Sequence, residues 1–271
     1  MFKLNLFKGK GRASGEKENL FIHIPKAGGS TFVGLLKDSQ KLTEAEEATP
    51  THMIEQVGET RISHIRFGDE KRLFKEPQVF DPENISRYQA SSQVFCLVRD
   101  PVDRITSEFN FQYHILGGKE GNYRAAIYFK LKGRPSSVMD YAKFKEVRNY
   151  QVKFLLGRDI ADASPVKAEE FDRIIRCMEE LPVHLGVTDQ YTSFLNMFSS
   201  ISGVKLKSKV TVRKQTPIIH EPFLSDAERE QIRKWNVWDQ KLYQFACDRV
   251  ASLADGGKDR YTYKNSDSFI V

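Results

Sequence analysis

The sequence has few cysteines, no long apolar run and no strong excess of charge of one sign. Its three cysteines, Cys96, Cys177 and Cys247, are far apart and each lies in an apolar context. This pattern favours buried thiols in a reducing compartment over a disulfide framework or a metal site. No apolar stretch reaches the roughly 20 residues that a membrane-spanning helix needs. We therefore expect a cytoplasmic protein without a membrane span or a metal centre.

The charge balance is mildly basic. The 42 Lys and Arg residues exceed the 36 Asp and Glu residues by six, which favours anionic partners such as phosphorylated cofactors or acidic glycans. No long basic run with interleaved aromatic residues occurs, so nucleic acid is not an expected partner. Residues 1–18 form a basic leader that lacks the apolar core of a secretory signal. We expect a flexible tail there, with peripheral contact to an acidic membrane surface as the alternative.

The 271 residues, 40% of them hydrophobic, suit one domain with tails. We expect the domain to cover residues 19–254 and residues 255–271 to form a polar C-terminal tail. Apolar runs of strand length alternate with helical patterns, which predicts an α/β domain with a parallel sheet. The expected strands are residues 20–24, 61–65, 93–98 and 183–187. The expected helices are residues 30–36, 52–57, 101–116, 167–180 and 188–198, and a final pair opened by a capping box at Ser225 and Glu228 and ending near residue 253.

The first candidate site is the loop within residues 20–36, LFIHIPKAGGSTFVGLL. A strand, a tight loop and a helix in this order direct backbone N–H groups and a helix N-terminus at one point, which suits a phosphate. A triphosphate P-loop needs its lysine after the glycines, whereas Lys26 precedes Gly28 and Gly29. The loop therefore predicts a phosphate site of another kind, which Lys26 reaches from the strand side. An ordinary glycine turn is the alternative.

The second candidate site follows the strand at residues 93–98. Asp100 is the expected N-cap and Pro101 the first residue of the next helix. Arg99, at the strand end, can donate two parallel hydrogen bonds to a phosphate, and Ser107 can add one from its hydroxyl. The alternatives are a salt bridge from Arg99 to Asp100 or Asp103 and a surface role for Ser107. Because ligands gather at the carboxyl ends of parallel strands, the two loops together suit a ligand with two separated phosphates.

Three segments carry a family resemblance: FIHIPKAGGST, VRDPVDRITSEFNF and RISHIRFG. Together they resemble sulfotransferases of the group that includes heparan sulfate 2-O-sulfotransferase and bacterial carbohydrate sulfotransferases. Looser similarity in NYQVKFLLG, HLGVTDQ and VRKQT extends the resemblance over most of residues 20–253. It implies a three-layer α/β/α fold with a central parallel sheet, of the P-loop nucleotide-kinase-like type.

The resemblance also implies an activity and the residues that perform it. The donor would be 3′-phosphoadenosine 5′-phosphosulfate (PAPS), with adenosine 3′,5′-bisphosphate as product and no metal. The sulfuryl group would pass in line to an acceptor hydroxyl, on a sugar or glycan, with Lys26 and His64 catalytic and His64 as general base. The implied donor-binding residues are Lys26, Ala27, Gly28, Gly29, Ser30, Thr31, Arg99, Ser107, Arg213 and Lys214.

The sequence contains other candidates for the general base. Four of the remaining histidines are expected to be structural: His23 in the first strand, His52, His114 and His184. His220, near Pro217 and Pro222, could lie close to the cleft, but nothing in the sequence requires it. Glu55 and Glu108 are the substitutes if His64 points away from the site.

Two other classes of function stay open at this stage. One is a magnesium-dependent nucleotide kinase or NTPase, which the missing Walker spacing and the lack of a magnesium carboxylate disfavour. The other is a non-catalytic module that binds anionic glycans through its basic surface.

Overall fold

The computed structural model describes residues 18–39, 54–57, 60–63, 92–111, 135–158, 162–180, 183–206 and 224–254. Several predicted features lie outside these residues. They are most of the leader, the C-terminal tail, and the residues His52, His64, His114, Arg213, Lys214 and His220.

The described part of the chain contains one sheet of five strands, against which the helices pack. The strands are β1 (Glu18–Ile22), β2 (Ile54–Val57), β3 (Thr60–Ser63), β4 (Ser92–Val98) and β5 (Val183–Val187). Their order is β2-β3-β1-β4-β5. The pairs β3–β1, β1–β4 and β4–β5 are parallel, as predicted, whereas the edge strand β2 is antiparallel to β3.

The edge strand corrects one prediction. Residues 52–57 were expected to form a short helix, but Ile54–Val57 is β2, with Ile54 opposite Ser63 and Val57 opposite Thr60. A segment of this length has a weak local preference, and the unpaired edge of β3 supplies hydrogen bonds that an isolated helical turn cannot match.

The predicted helices other than residues 52–57 are present, with some differences at their ends, and two short helices are added between residues 138 and 155. The helices are α1 (Gly29–Ser39), α2 (Pro101–Asn110), α3 (Val138–Ala142), α4 (Tyr150–Leu155), α5 (Ala168–Glu180), α6 (Tyr191–Ser202), α7 (Asp226–Trp235) and α8 (Val237–Ala254). Short 3₁₀ turns occupy Lys145–Val147 and Thr188–Gln190. The predicted capping box opens α7, because Ser225 Oγ accepts from Glu228 N and the Glu228 carboxylate accepts from Ser225 N.

Strand β4 is buried on both faces, as its unbroken apolar run predicts. Val94, Cys96 and Val98 join a core cluster with residues of α4, α5 and α8. Phe95 and Leu97 point the other way, into a cluster with residues of α1 and α6. Helices thus cover both faces of β4, and its carboxyl end is fixed from both sides.

The cysteines are free thiols, as expected. Cys96 and Cys177 are buried and Cys247 is partly buried. Burial raises the pKa of Cys96 far above its ordinary value, so this thiol stays protonated. Within the described residues, no helix combines the length and the apolar character that crossing a membrane requires.

Candidate active site

The two candidate loops meet at the carboxyl ends of neighbouring strands. β1 and β4 are paired in parallel, with Ile22 opposite Cys96, so the chain leaves both strands at the same edge of the sheet. There the Nη1 of Arg99 donates a hydrogen bond to the carbonyl oxygen of Lys26 over 3.2 Å. The structure therefore brings together two of the predicted site residues that are 73 positions apart in sequence.

The first loop has an unusual backbone. Lys26 has a φ of 68° and Gly28 a φ of 83°, both in the left-handed region. For a residue with a side chain this region costs roughly 1–2 kcal/mol, so the conformation of Lys26 must be held by its surroundings. Arg99 holds the Lys26 carbonyl, and the hydroxyl of Tyr191 donates to the carbonyl oxygen of Gly28 over 3.1 Å. Strain that is held in this way is typical of a functional loop.

The hydrogen bonds of the loop indicate which amides can face a ligand. The amide of Ala27 donates to Ile24 O and that of Thr31 donates to Gly28 O. The amides of Gly28, Gly29 and Ser30 lie at the start of α1, where no preceding carbonyl of the helix is available to them. These three amides and the positive end of α1 are the groups of the loop that are suited to an anion.

The Lys26 side chain extends toward α2. Its Nζ lies 4.1 Å from the ring centroid of Phe111, a cation–π contact. Phe111 follows Ser107 by four residues, and residues at this spacing share one face of a helix. The helical dihedrals continue through Phe111. Lys26 therefore reaches the carboxyl end of the helix that carries Ser107.

Arg99 is a partly buried cation that lacks a complete set of acceptors. Burial lowers the pKa of its guanidinium, and the carboxylates of Asp103 and Asp189 act in the opposite direction. Its Nε is buried, and no hydrogen-bond partner for that atom occurs among the described residues. Such a group fits an anionic ligand, which would supply the missing acceptor.

The predicted alternative for Arg99 was a salt bridge to Asp100 or Asp103. Among the ion pairs of the described residues, Asp100 is paired with Arg233 over 3.9 Å and Asp103 with Arg229 over 3.7 Å. Asp100 also performs its predicted role as N-cap of α2, accepting from the amides of Val102 and Asp103. Within the described residues, neither carboxylate forms an ion pair with Arg99, whose guanidinium is hydrogen-bonded to the first loop instead.

The histidines occupy structural positions where they are described. His184 lies in β5, and its Nε2 is 2.6 Å from Gln93 Oε1. His23 was expected inside the first strand, but β1 ends at Ile22, because the ladders to both neighbouring strands end there. The His23 ring instead packs on Gly29: a Cβ added to that glycine would lie 2.0 Å from His23 Cδ2. Gly29 is therefore required by this close approach.

Glu108 is wrong as a substitute base. Its carboxylate is fully buried and accepts a hydrogen bond from Arg104 Nη1 over 2.7 Å, one helical turn away. A buried carboxylate in such a pair cannot reach an acceptor hydroxyl. Glu55 lies in β2. Within the described ranges, no group of three His, Cys, Asp or Glu side chains is arranged to hold a metal ion.

Gln151 and Tyr191 contact the two loops and were not singled out from the sequence. Gln151 hydrogen-bonds the backbone of Arg99, and Tyr191 that of Gly28. Gln151 lies within the similar segment NYQVKFLLG, but the loops that these side chains contact are distant in sequence. No local sequence pattern predicts a hydrogen bond between a side chain and a backbone group so far away in the sequence.

Comparison with known proteins agrees with this geometry. A protein-family model described as "Sulfotransferase family" matches residues 13–246, which is most of the chain. No curated protein matched the sequence. The chain belongs to the sulfotransferase family, and it is a transferase of sulfuryl groups.

Proposed function

We propose that this sulfotransferase takes its sulfuryl group from PAPS and moves it to an acceptor hydroxyl, on a carbohydrate. The observation that carries the proposal is the hydrogen bond from Arg99 to the Lys26 carbonyl. It joins two cation-bearing loops at adjacent strand ends, and a donor with a 5′-phosphosulfate and a 3′-phosphate needs two such anion sites at a fixed separation.

The donor contacts divide between the two loops. The amides of Gly28, Gly29 and Ser30, with Lys26, would hold the 5′-phosphosulfate. Arg99 and Ser107 would hold the 3′-phosphate, which distinguishes PAPS from ATP. Arg213 and Lys214 would close over the donor, with the loop residues Ala27 and Thr31 completing its surroundings. This arrangement belongs to a three-layer α/β/α, P-loop nucleotide-kinase-like domain spanning residues 19–254.

The chemistry is an in-line displacement. His64 accepts the proton of the acceptor hydroxyl while the acceptor oxygen forms a bond to sulfur. The bond between sulfur and the 5′-phosphate oxygen breaks, and its electron pair leaves as negative charge on the phosphate. Lys26 and the α1 amides stabilise that charge as it develops, so no metal is needed in this role. We place the reaction in the cytoplasm, on a sugar or glycan acceptor.

The experiment is a screen of acceptors with PAPS labelled in the sulfuryl group. Purified protein is incubated with sugars, oligosaccharides, phenols and small alcohols, and products are identified by mass spectrometry. Labelled carbohydrate from wild-type protein, but not from Lys26→Ala, is the expected result. Transfer only to phenols would reject the carbohydrate acceptor. Magnesium-dependent phosphate release from ATP, without transfer from PAPS, would reject the proposal in favour of a nucleotide-hydrolysing protein.

A further inference from the structure

We infer that Gln151 is a positioning residue for Arg99, an inference that rests on the proposed function. The Gln151 side chain is fully buried. Its Oε1 accepts from the Arg99 amide over 2.9 Å, and its Nε2 donates to the Arg99 carbonyl over 2.8 Å. Only one orientation of the carboxamide satisfies both bonds, because one atom must accept and the other must donate. The Gln151 side chain therefore forms hydrogen bonds with both the amide and the carbonyl of Arg99.

The Arg99 backbone requires these two hydrogen bonds because the sheet ends at the preceding residue, Val98. The register of β4 with β5 ends at Val98 opposite Val187, and the register with β1 ends earlier, at Cys96. Backbone groups in a buried region require partners, and no neighbouring strand supplies them beyond Val98. Gln151 takes the place of a strand neighbour at this position. One side chain thus determines the backbone orientation from which the Arg99 guanidinium extends.

Gln151 is itself held by two reciprocal helix caps. The buried carboxylate of Asp239, in α8, accepts from the amides of Gln151 over 3.1 Å and Val152 over 2.9 Å, at the start of α4. In return Asn149, with a φ of 50°, accepts at its Oδ1 from the amide of Trp238 over 2.9 Å, at the start of α8. Each helix start caps the other, so Gln151 cannot shift without breaking several buried hydrogen bonds.

This support has a consequence for ligand affinity. Arg99 has a long side chain with many rotamers, and ordering it on binding would reduce affinity for the 3′-phosphate. With its backbone fixed by Gln151 and its Nη1 on the Lys26 carbonyl, the guanidinium is ordered before the ligand arrives. Gln151 has no contact with the ligand in this scheme, and it acts only through Arg99. A Gln151 variant keeps the Arg99 guanidinium, which can still contact the Lys26 carbonyl. The loss of Gln151 should therefore reduce the contribution of the 3′-phosphate far more than that of the rest of the nucleotide.

The test compares two ligands by isothermal titration calorimetry. Adenosine 3′,5′-bisphosphate and 5′-AMP differ only in the 3′-phosphate, so the ratio of their affinities measures its contribution. Gln151→Met keeps the side-chain volume and removes both hydrogen bonds. We expect it to reduce the ratio by about 10- to 100-fold and to change the 5′-AMP affinity by less than about threefold. Gln151→Asn keeps a buried carboxamide but is too short to span both backbone groups, and it should reduce the ratio similarly.

Gln93→Met is the matched control. Gln93 lies on the same strand as Arg99, but near its other end, where its carboxamide contacts His184. This variant loses a comparable hydrogen bond, and the affinity ratio should stay at the wild-type value. A wild-type ratio in both Gln151 variants would overturn the positioning role and leave the proposed function intact. Equal loss of both ligands, through unfolding or otherwise, would also overturn it. A wild-type protein that does not prefer the bisphosphate would overturn the proposed function itself.

Discussion

The guanidinium of Arg99 is hydrogen-bonded to the backbone of Lys26, with Arg99 Nη1 donating to the Lys26 carbonyl oxygen over 3.2 Å. Lys26 has a left-handed backbone conformation, so a bond to its carbonyl helps to hold the loop that presents the lysine. The two loops that we propose as anion sites, 73 residues apart in sequence, are therefore joined by this hydrogen bond. Removing the arginine should affect both sites.

The first prediction concerns this coupling. Arg99→Ala should raise the KM for PAPS by at least about tenfold, because a charge-assisted contact is lost. It should also lower kcat by about tenfold, because the Lys26 loop loses its support. Ser107→Ala is the comparison variant. It removes one proposed contact to the 3′-phosphate and leaves the Arg99–Lys26 bond in place, so KM should rise while kcat stays within about twofold. Steady-state kinetics with labelled donor separates the two cases. An unchanged kcat in Arg99→Ala would show that the bond to Lys26 is incidental.

The second prediction concerns the catalytic pair. Lys26→Ala and His64→Ala should each lower kcat by at least about 100-fold. In the proposed mechanism the first variant removes the charge that stabilises the leaving phosphate, and the second removes the general base. Binding of adenosine 3′,5′-bisphosphate to His64→Ala should remain within about threefold of wild type, because the proposed role of His64 is toward the acceptor and not the nucleotide. Turnover near the wild-type rate in Lys26→Ala would reject the assigned chemistry.

The third prediction concerns the packing of the first loop. Gly29→Ala would place a Cβ 2.0 Å from His23 Cδ2 and 2.5 Å from His23 Nε2. The ring must move, and overpacking of this kind costs about 1–3 kcal/mol of unfolding free energy. Urea denaturation measures the cost. Because the φ of Gly29 is not positive, the cost is a clash that His23→Ala should relieve, and a double-mutant cycle should show coupling. Additive free-energy changes would contradict this account.

Gly28 provides the contrasting case. Its φ is 83°, and a Cβ there would lie 3.1 Å from Tyr191 Cε2. Gly28→Ala should therefore carry a backbone penalty of roughly 1–2 kcal/mol that trimming Tyr191 cannot relieve.

The fourth prediction concerns Lys153, on the same helix as Gln151. Burial lowers its pKa from 10.5 to about 8, and its Nζ donates to the carbonyls of Lys145 and Asp162. Between pH 8 and pH 10.5 the unfolded chain binds more protons at this residue than the folded chain does. The contribution of Lys153 to the free energy of unfolding should therefore rise with pH across this window.

Lys153→Met tests this sign. The unfolding free energy of wild type minus that of the variant should become more positive as the pH rises from 8 to 10. Taking the difference cancels the other groups that titrate in this range. A difference that is constant with pH would contradict a lowered pKa for Lys153.

Local features of the structure were predictable from the sequence. The unbroken apolar run of β4, the N-cap Asp100, the capping box at Ser225 and the strand–loop–helix unit around Lys26 all depend on neighbouring residues. The order of strands and helices along the chain was enough to predict a largely parallel sheet and the edge at which its two loops meet.

Contacts over long sequence separations were not predictable. The edge strand β2 forms because β3 supplies the hydrogen-bonding partners for its backbone. The four residues of β2 are too few to show a hydrophobic periodicity that would distinguish a strand from a helix. The residues joined by the Gln151–Arg99 hydrogen bonds are 52 positions apart in sequence, and those joined by the Tyr191–Gly28 hydrogen bond are 163 positions apart. A single sequence carries no signal for such pairs, because any polar side chain in a helix can face solvent equally well.

The most direct test of the account is whether the protein recognises a 3′-phosphate. Calorimetry should show that wild-type protein binds adenosine 3′,5′-bisphosphate at least about tenfold more tightly than 5′-AMP, because the proposed contacts of Arg99 and Ser107 are to the 3′-phosphate, which 5′-AMP lacks. Equal affinities for the two nucleotides would contradict the assignment of the second loop and, with it, PAPS as the donor.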